Sequence, residues 1–452
     1  MNPAQHISWH DAVSDPQTIF DQLKEKISSR TAIVGVVGLG YVGLPFAVQS
    51  ALAGFDTVGL DLARDKVISI NEGHSYIGDV SDTQLQEAIT EHGLFATDHF
   101  AALADCDVVV VAVPTPLTKN LTPDLGAIEA ATQEIALHLR PGQLISLEST
   151  TFPGTTEEVM KPILESSGLT AEQDFFLAHS PERVDPGNHQ FNTKNTNKVV
   201  GGIGPNSSEL ASLFYSSTVD HTVTVSSAKA AELVKVFENT FRSVNVALVN
   251  ELAQLCDRMN INVWEVLDAA FTKPFGIMPF YPGPGVGGHC IPLDPHYLEF
   301  KAREFNFQTR FVALAGEINR SMPRFVVEKA IRIVDQSGVA LSRSRILVLG
   351  VAYKSNIDDA RESPAIEVIR GLVERGAEVF YHDPYVRSIN EHGVLMLSSD
   401  LSPELLGSCD LVIGTTAHAC TDVAWVVDNS REFLDTRHMT KSIGTRPNVH
   451  LL

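Results

Sequence analysis

From Thr31 onward, short apolar runs rich in β-branched residues alternate with stretches in which apolar positions recur every three to four residues. Ala32–Val37, Thr57–Asp61, Val108–Val113, Leu144–Glu148, Phe175–His179 and Val199–Gly202 read as buried strands. The text between them, for example Asp124–Leu139 and Thr155–Ser167, reads as helix. Such alternation predicts parallel strands joined by crossover helices, a doubly wound sheet. The rhythm breaks at Ser226. From Ala228 to Arg258 there is neither Gly nor Pro, which predicts one helix, with Ser227 as its N-cap, of roughly 45 Å at 1.5 Å per residue. Pro274–Pro295 is too rich in Pro and Gly for regular structure, and helical text then resumes through Val334. A second alternation follows, with strands at Ile346–Gly350, Glu378–Asp383 and Leu411–Gly414 and a helix at Ser363–Arg375.

Composition narrows the classes. The 452 residues suffice for several domains, and a formal net charge of −21 opposes binding to nucleic acid or to an anionic membrane surface. The five cysteines are widely spaced and form no CxxC pair, which fits a reducing compartment. Residues 1–30 read as an amphipathic helical extension without a secretory apolar core. No apolar run reaches the roughly 18 residues of a membrane span, so a cytoplasmic protein is expected.

The first strand runs into Gly38-Leu39-Gly40-Tyr41-Val42-Gly43 and then a helix. In that context the glycines serve a tight turn, close approach of a pyrophosphate, and helix-on-strand packing. Asp61 ends the next strand, where a carboxylate accepts from ribose hydroxyls and repels a 2′-phosphate, so the expected cofactor is NAD. The alternatives are a helix-capping role for Asp61 and rescue of NADP by Arg64. Val113-Pro114-Thr115-Pro116 and Ser149-Thr150 fall at strand ends on the ligand edge of such a sheet. The second alternation lacks the later glycines at Gly350-Val351-Ala352-Tyr353-Lys354 and reads as a nucleotide-sugar site.

Polar residues cluster elsewhere too. Lys235, Asn239 and Arg242 share one face of the long helix. A cation beside an amide donor suits a developing oxyanion, and a solvated polar stripe is the alternative. Glu182 and Arg183 follow a strand end, suited to a base and a phosphate ligand or to a local ion pair. Lys354 and Arg361 precede a helix start, where an anionic ligand explains cations better than stability does. Cys290 lies among glycines in Gly283–Pro295, an accessible thiol suited to nucleophilic catalysis. Its alternatives are a packed inert thiol and a metal site of His289, Cys290, Asp294 and His296.

Taken jointly, Gly38–Gly43, Pro114-Thr115-Pro116, Ser149-Thr150, Ser180-Pro181-Glu182-Arg183, Ala231-Glu232-Leu233-Val234-Lys235 with Asn239, Gly287–Pro295 and Ala352–Pro364 resemble the UDP-glucose/GDP-mannose dehydrogenase family, in the family's order, over about residues 31–440. Ser75–Gly78, Glu148–Thr156, Lys273–Gly276 and Tyr281–Gly285 are similar to the branch that oxidises UDP-N-acetylglucosamine. Two departures set the chain apart from UDP-glucose enzymes: Leu293, not Lys, precedes Asp294, and Pro186 stands where a second acidic residue is common.

The resemblance implies an α/β fold with two Rossmann-like doubly wound parallel-sheet domains joined by a long central helix. Its boundaries would be an extension 1–30, an NAD-binding domain 31–225, a central helical domain 226–335 and a UDP-sugar-binding domain 336–452. It implies a four-electron oxidation of the sugar C6 hydroxyl to a carboxylate with two NAD, through a thiohemiacetal and a thioester on Cys290. Lys235 and Asn239 would stabilise oxyanions, Asp294 would orient Lys235 or water, and Glu182 and Thr150 would place the water. Gly38, Gly40, Tyr41, Val42, Gly43, Asp61, Lys66, Thr115, Thr150 and Arg361 would hold NAD. Arg183, Val184, Lys235, Asn239, Arg242, Gly287 and Lys354 would hold the UDP-sugar. A homodimer through the long helix and a place in polysaccharide synthesis are also implied, and no metal is expected. The epimers UDP-N-acetylmannosamine and UDP-N-acetylgalactosamine are alternative substrates. A two-electron dehydrogenase of the 6-phosphogluconate type is opposed by Cys290 and the second α/β unit, and a non-catalytic NAD-sensing module by the polar residues around that thiol.

Overall fold

A computed structural model describes residues 15–118, 120, 122–185, 188, 190–288 and 291–452. The chain divides into two compact units, Met1–Val236 and Phe237–Leu452, each built on its own sheet.

The first unit carries strands β1 (Val34–Val37), β2 (Thr57–Leu60), β3 (Phe95–Thr97), β4 (Val108–Val111), β5 (Leu144–Leu147), β6 (Phe176–His179), β7 (Lys198–Gly202) and β8 (Thr222–Thr224). Their order in the sheet is β3-β2-β1-β4-β5-β6-β7-β8. The first six follow the 3-2-1-4-5-6 order of a dinucleotide-binding fold, with the switch point between β1 and β4. Strands β1, β2, β4, β5 and β6 are buried throughout, which explains why they read as continuous apolar runs.

Sequence and structure differ at three places here. β7 runs antiparallel to β6, contrary to the all-parallel expectation, because period and composition do not encode strand direction. The stretch expected as helix from Thr155 opens as a π-helical turn, Thr156–Met160, before α-helix Lys161–Glu165. β3 and β8 have three residues each, too short for a periodic signal.

The described part of the N-terminal extension is a helix, Pro16–Ser29, whose Ile19, Phe20, Leu23 and Ile27 enter the core of the first unit. Buried Asp107 ties it down. Its carboxylate accepts from Lys26 Nζ and Arg140 Nη2, each at 2.8 Å, and from Ile33 N at 3.1 Å. Burial alone would raise the Asp107 pKa, but these donors outweigh it and lower it.

The second unit carries β9 (Arg345–Leu349), β10 (Glu378–His382), the hairpin β11 (Ser388–Glu391) and β12 (Val394–Leu397), β13 (Leu411–Gly414), β14 (Phe433–Asp435) and β15 (Val449–Leu451). Its main sheet has the order β10-β9-β13-β14-β15, parallel throughout. That is a second doubly wound sheet, with its switch point between β9 and β13. One apolar cluster joins Val249, Ala253 and Trp264 to Met322, Val326, Ile346, Val348, Ile366 and Ile369. The long helix spans Ala228–Met259 and runs from the first unit into the second. Among the described residues no helix is long and apolar enough to cross a membrane.

One ion pair in the first unit is almost wholly enclosed. Lys198 Nζ lies 2.9 Å from Glu148 Oε2, with side chains 8% and 1% exposed, and 5.3 Å from the ring centres of both Phe46 and Tyr215. Removing one partner strands the other charge. Lys198→Met is expected to lower unfolding stability by about 3–5 kcal/mol in denaturant titration, and adding Glu148→Gln should recover much of that loss.

Candidate active site

The turn after β1 is set by its glycines. Gly38 has φ +91°, and a Cβ at Gly43 would collide with the Gly38 carbonyl oxygen, so helix Gly43–Leu52 can start only there. A Cβ on Gly40 would meet nothing within 4 Å, which leaves open space where the helix N-terminus offers N–H groups to a phosphate. Asp61 follows β2. Its Oδ2 accepts from Leu39 N at 2.9 Å and Lys66 Nζ at 3.0 Å, and its Oδ1 accepts from Ala63 N at 2.9 Å. Asp61 therefore braces the glycine turn and the start of the next helix together. Arg64 pairs with Asp98 at 3.0 Å. Open backbone above Gly40 and a carboxylate at the end of β2 fit NAD.

Across the switch point the next two strand-end loops are tied to each other. Thr115 Oγ1 donates to Thr150 O at 2.8 Å and Ser149 Oγ to Val113 O at 2.7 Å. A small cavity is lined by Tyr41, Val42, Glu148, Glu182, Arg183 and Lys198. It brings the glycine turn together with the segment after β6. Within that segment Glu182 accepts from Val184 N, and Arg183 Nη1 donates to Asn197 O at 2.6 Å.

The start of the long helix is bound to the same edge by Glu232, to which sequence reading assigned no role of its own. Its carboxylate accepts from Gly154 N at 2.5 Å, Thr156 N at 2.8 Å and Thr156 Oγ1 at 2.7 Å. Glu232 thus fixes the helix three residues before Lys235, which is itself nine-tenths buried. Glu232 stands in the Ala231–Lys235 motif, but its partners Gly154 and Thr156 lie 78 and 76 residues earlier in the chain, beyond the reach of any local pattern.

In the second unit, buried Asn239 donates through Nδ2 to Asp294 Oδ2 at 2.5 Å, so the long helix holds the aspartate that begins helix Asp294–Glu304. Sequence reasoning gave Asp294 the orienting of Lys235 or water; here it accepts from Asn239, one helical turn after Lys235. Arg242 is exposed. A Cβ at Gly287 would meet Glu362 O at 2.8 Å, Tyr353 Cβ at 2.8 Å and Pro364 Cδ at 2.9 Å. The close approach that Gly287 permits here is that of the loop carrying Lys354. Arg361 makes a two-pronged pair with Asp359, Nε–Oδ1 2.9 Å and Nη2–Oδ2 2.6 Å.

Cys290, His289 and Pro186 lie outside the described residues. His296 is engaged with Glu299 at 2.9 Å. Of the other cysteines, Cys106, Cys256 and Cys409 are buried, and burial raises the Cys106 thiol to about 12.

One mostly parallel and one parallel doubly wound sheet, with a glycine turn suited to NAD at the first switch point, define a dinucleotide-binding protein with a second α/β unit. Comparison with known proteins places it further. The chain matches the NAD binding domain of the UDP-glucose/GDP-mannose dehydrogenase family over residues 32–219, the central domain over 229–321 and the UDP binding domain over 347–442. It is 36% identical to the UDP-N-acetyl-D-mannosamine dehydrogenase of Pyrococcus horikoshii, covering 87% of this chain and 91% of that protein. It is 35% identical to the UDP-N-acetyl-D-glucosamine 6-dehydrogenase of Pseudomonas aeruginosa, over 85% and 90%. The solved structure of UDP-D-ManNAc dehydrogenase from Pyrococcus horikoshii superimposes with a TM-score of 0.84 at 32% identity, covering 93% of this chain and 98% of that one. The chain belongs to the UDP-glucose/GDP-mannose dehydrogenase family and is an NAD-dependent nucleotide-sugar 6-dehydrogenase acting on a UDP-sugar.

Burial holds the Glu232 carboxyl up at about 7 from its ordinary 4.5, against the three donors that favour its charge. A raised folded-state value means that this group's contribution to stability is complete below about pH 4.5 and lost as pH rises through about 7. Glu232 should contribute a fall of up to about 3 kcal/mol in unfolding free energy over that window, and comparison with Glu232→Gln should show that component removed.

Proposed function

We propose that the enzyme oxidises C6 of UDP-N-acetylglucosamine to the carboxylate, with two NAD reduced per sugar. The observation that carries the reading is the Asn239–Asp294 bond, which joins the long helix beside Lys235 to the start of helix Asp294–Glu304, four residues after Cys290 in the chain. Leu293 before Asp294, and the Ser75–Gly78 and Glu148–Thr156 segments, favour an N-acetylhexosamine over glucose.

NAD bound at the Gly38–Gly43 turn supplies the hydride acceptor. The residues of the chain do the rest. A base takes the C6 hydroxyl proton as the first hydride leaves, giving the aldehyde. The Cys290 thiolate adds to that carbon, and Lys235 and Asn239 hold the resulting oxyanion. Loss of the second hydride leaves a thioester, which water hydrolyses to carboxylate and thiol. Glu182 and Thr150 position that water. Arg183, Val184, Arg242 and Lys354 bind the nucleotide-sugar, while Tyr41, Val42, Asp61, Lys66, Thr115 and Arg361 serve the NAD side. In this reading residues 31–225 are the NAD-binding domain, 226–335 the central domain and 336–452 the UDP-sugar domain. The enzyme works in the cytoplasm, feeding polysaccharide synthesis.

The long helix also supports a homodimer. Phe237, Phe241, Leu248, Leu255 and Met259 are all exposed, and their spacing keeps them within one narrow stripe at 3.6 residues per turn. An apolar stripe of that length is the mark of a self-associating face. Leu248→Glu should shift the protein to a smaller mass in light scattering, and an unchanged mass would place the contact elsewhere.

With limiting sugar and excess NAD, two NADH should form per UDP-N-acetylglucosamine, and Cys290→Ala should yield one at most. A single NADH from the wild type overturns the thioester route. Turnover only with UDP-N-acetylmannosamine, the sugar in the name of the Pyrococcus relative, or with UDP-N-acetylgalactosamine moves the substrate to that epimer.

A further inference from the structure

The second sheet's switch point is closed by a hydrogen-bond chain that the reading above does not use. Asp383 follows β10 just as Asp61 follows β2. Where Asp61 is partly open, the Asp383 side chain is fully buried, and both of its oxygens are consumed. Oδ2 accepts from Val351 N at 2.7 Å, Ala352 N at 2.9 Å and His418 Nε2 at 3.0 Å. Oδ1 accepts from Tyr385 N at 2.9 Å and Val386 N at 3.0 Å. No acceptor capacity is left for a ribose, so this aspartate grips the loop after β9.

His418 makes the grip reach the far end of that loop. Its Nδ1 lies 3.0 Å from the Asn356 backbone N, and a backbone N–H can only donate. Nδ1 therefore carries no proton, which leaves Nε2–H to donate to Asp383. The neighbours reinforce the arrangement. Asn356 sits at φ +64° with its Oδ1 accepting from Ala419 N at 2.8 Å, Thr416 Oγ1 donates to Ala352 O at 2.6 Å, and the Tyr385 ring packs 5.0 Å from the imidazole. Lys354 lies between the two tied ends.

We propose that His418 is a positioning residue for the UDP-sugar: held as its Nε2–H tautomer between Asp383 and Asn356, it fixes the loop Val351–Asn356 and with it Lys354 at the switch point of the second sheet. The proposal rests on the second unit being the UDP-sugar domain. It assigns His418 no contact with substrate.

The test begins with the wild-type protein labelled with 15N at histidine. His418 should show an unprotonated Nδ1 and a protonated Nε2 at neutral pH, and the reverse tautomer overturns the proposal. In His418→Phe, which keeps the ring and removes both hydrogen bonds, the dissociation constant for uridine diphosphate and the KM for the UDP-sugar should each rise about tenfold or more. The kcat and the KM for NAD should stay within about twofold. A folded variant with unchanged uridine diphosphate affinity, or with an equal rise in the KM for NAD, also overturns it. Should the Phe variant fail to fold, His418→Asn, which can still accept from Asn356, and His418→Gln, which can still donate to Asp383, carry the same comparison. Each should lose less affinity than a variant lacking both bonds (His418→Ala), and equality among all three counts against the proposal. Uridine diphosphate binding and the tautomer are read without turnover. A wild type that binds uridine diphosphate but oxidises no N-acetylhexosamine therefore overturns the substrate assignment alone.

Discussion

Carboxylates that collect backbone N–H groups organise the strand-end loops of both sheets and the start of the long helix. At the end of a parallel strand the chain must turn, and its first N–H groups lose their sheet partners where water is scarce. Asp61 takes Leu39 N and Ala63 N, Asp383 takes four backbone donors, and Glu232 takes Gly154 N and Thr156 N. A charged acceptor makes a stronger bond than a neutral one. Each carboxylate therefore ties its loop to the strand end or helix start beside it. Donors to Asp383 outweigh its burial and bring it down to about 2, whereas burial prevails at Glu232.

The same device has opposite outcomes in the two sheets. Asp61 remains partly open beside a glycine turn with free space above Gly40, which is what a dinucleotide requires. Asp383 is sealed by His418 and by its own loop. A chain with two doubly wound sheets can in this way commit one to NAD and the other to a different nucleotide. The difference between the two sheets is that Asp383 is buried with its oxygens taken by backbone N–H groups and His418, whereas Asp61 stays partly open.

The long helix links the two chemistries through the chain itself. Glu232 and Lys235 belong to the first unit, and Asn239 and its partner Asp294 to the second. Residues four apart on one helix stand one turn apart, so the spacing of Lys235 and Asn239 is set by helical geometry. Each half of the helix is then anchored by a carboxylate in its own unit.

Much of this was legible in the residues. Buried strands betrayed themselves as apolar runs, the glycine turn as a fingerprint, and the long helix as a stretch without Gly or Pro, because each is a local pattern with a local cause. The family, the cofactor and the α/β fold followed from them. The three-residue strands, the antiparallel β7, the π-helical turn at Thr156 and the hairpin β11–β12 were not legible, since each depends on what a distant segment offers as a partner. The candidate site divides in the same way. Residue types and spacing singled out Lys235, Asn239, Asp294 and Asp61, but nothing in one dimension joined Glu232 to Thr156 across 76 residues or Asp383 to His418 across 35. Sequence alone determined the longer strands and helices and the residue types that carry the chemistry. Tertiary structure alone decided which carboxylates grip the backbone and which stay open to a ligand, because a hydrogen bond between residues far apart in the chain exists only once folding has brought donor and acceptor together.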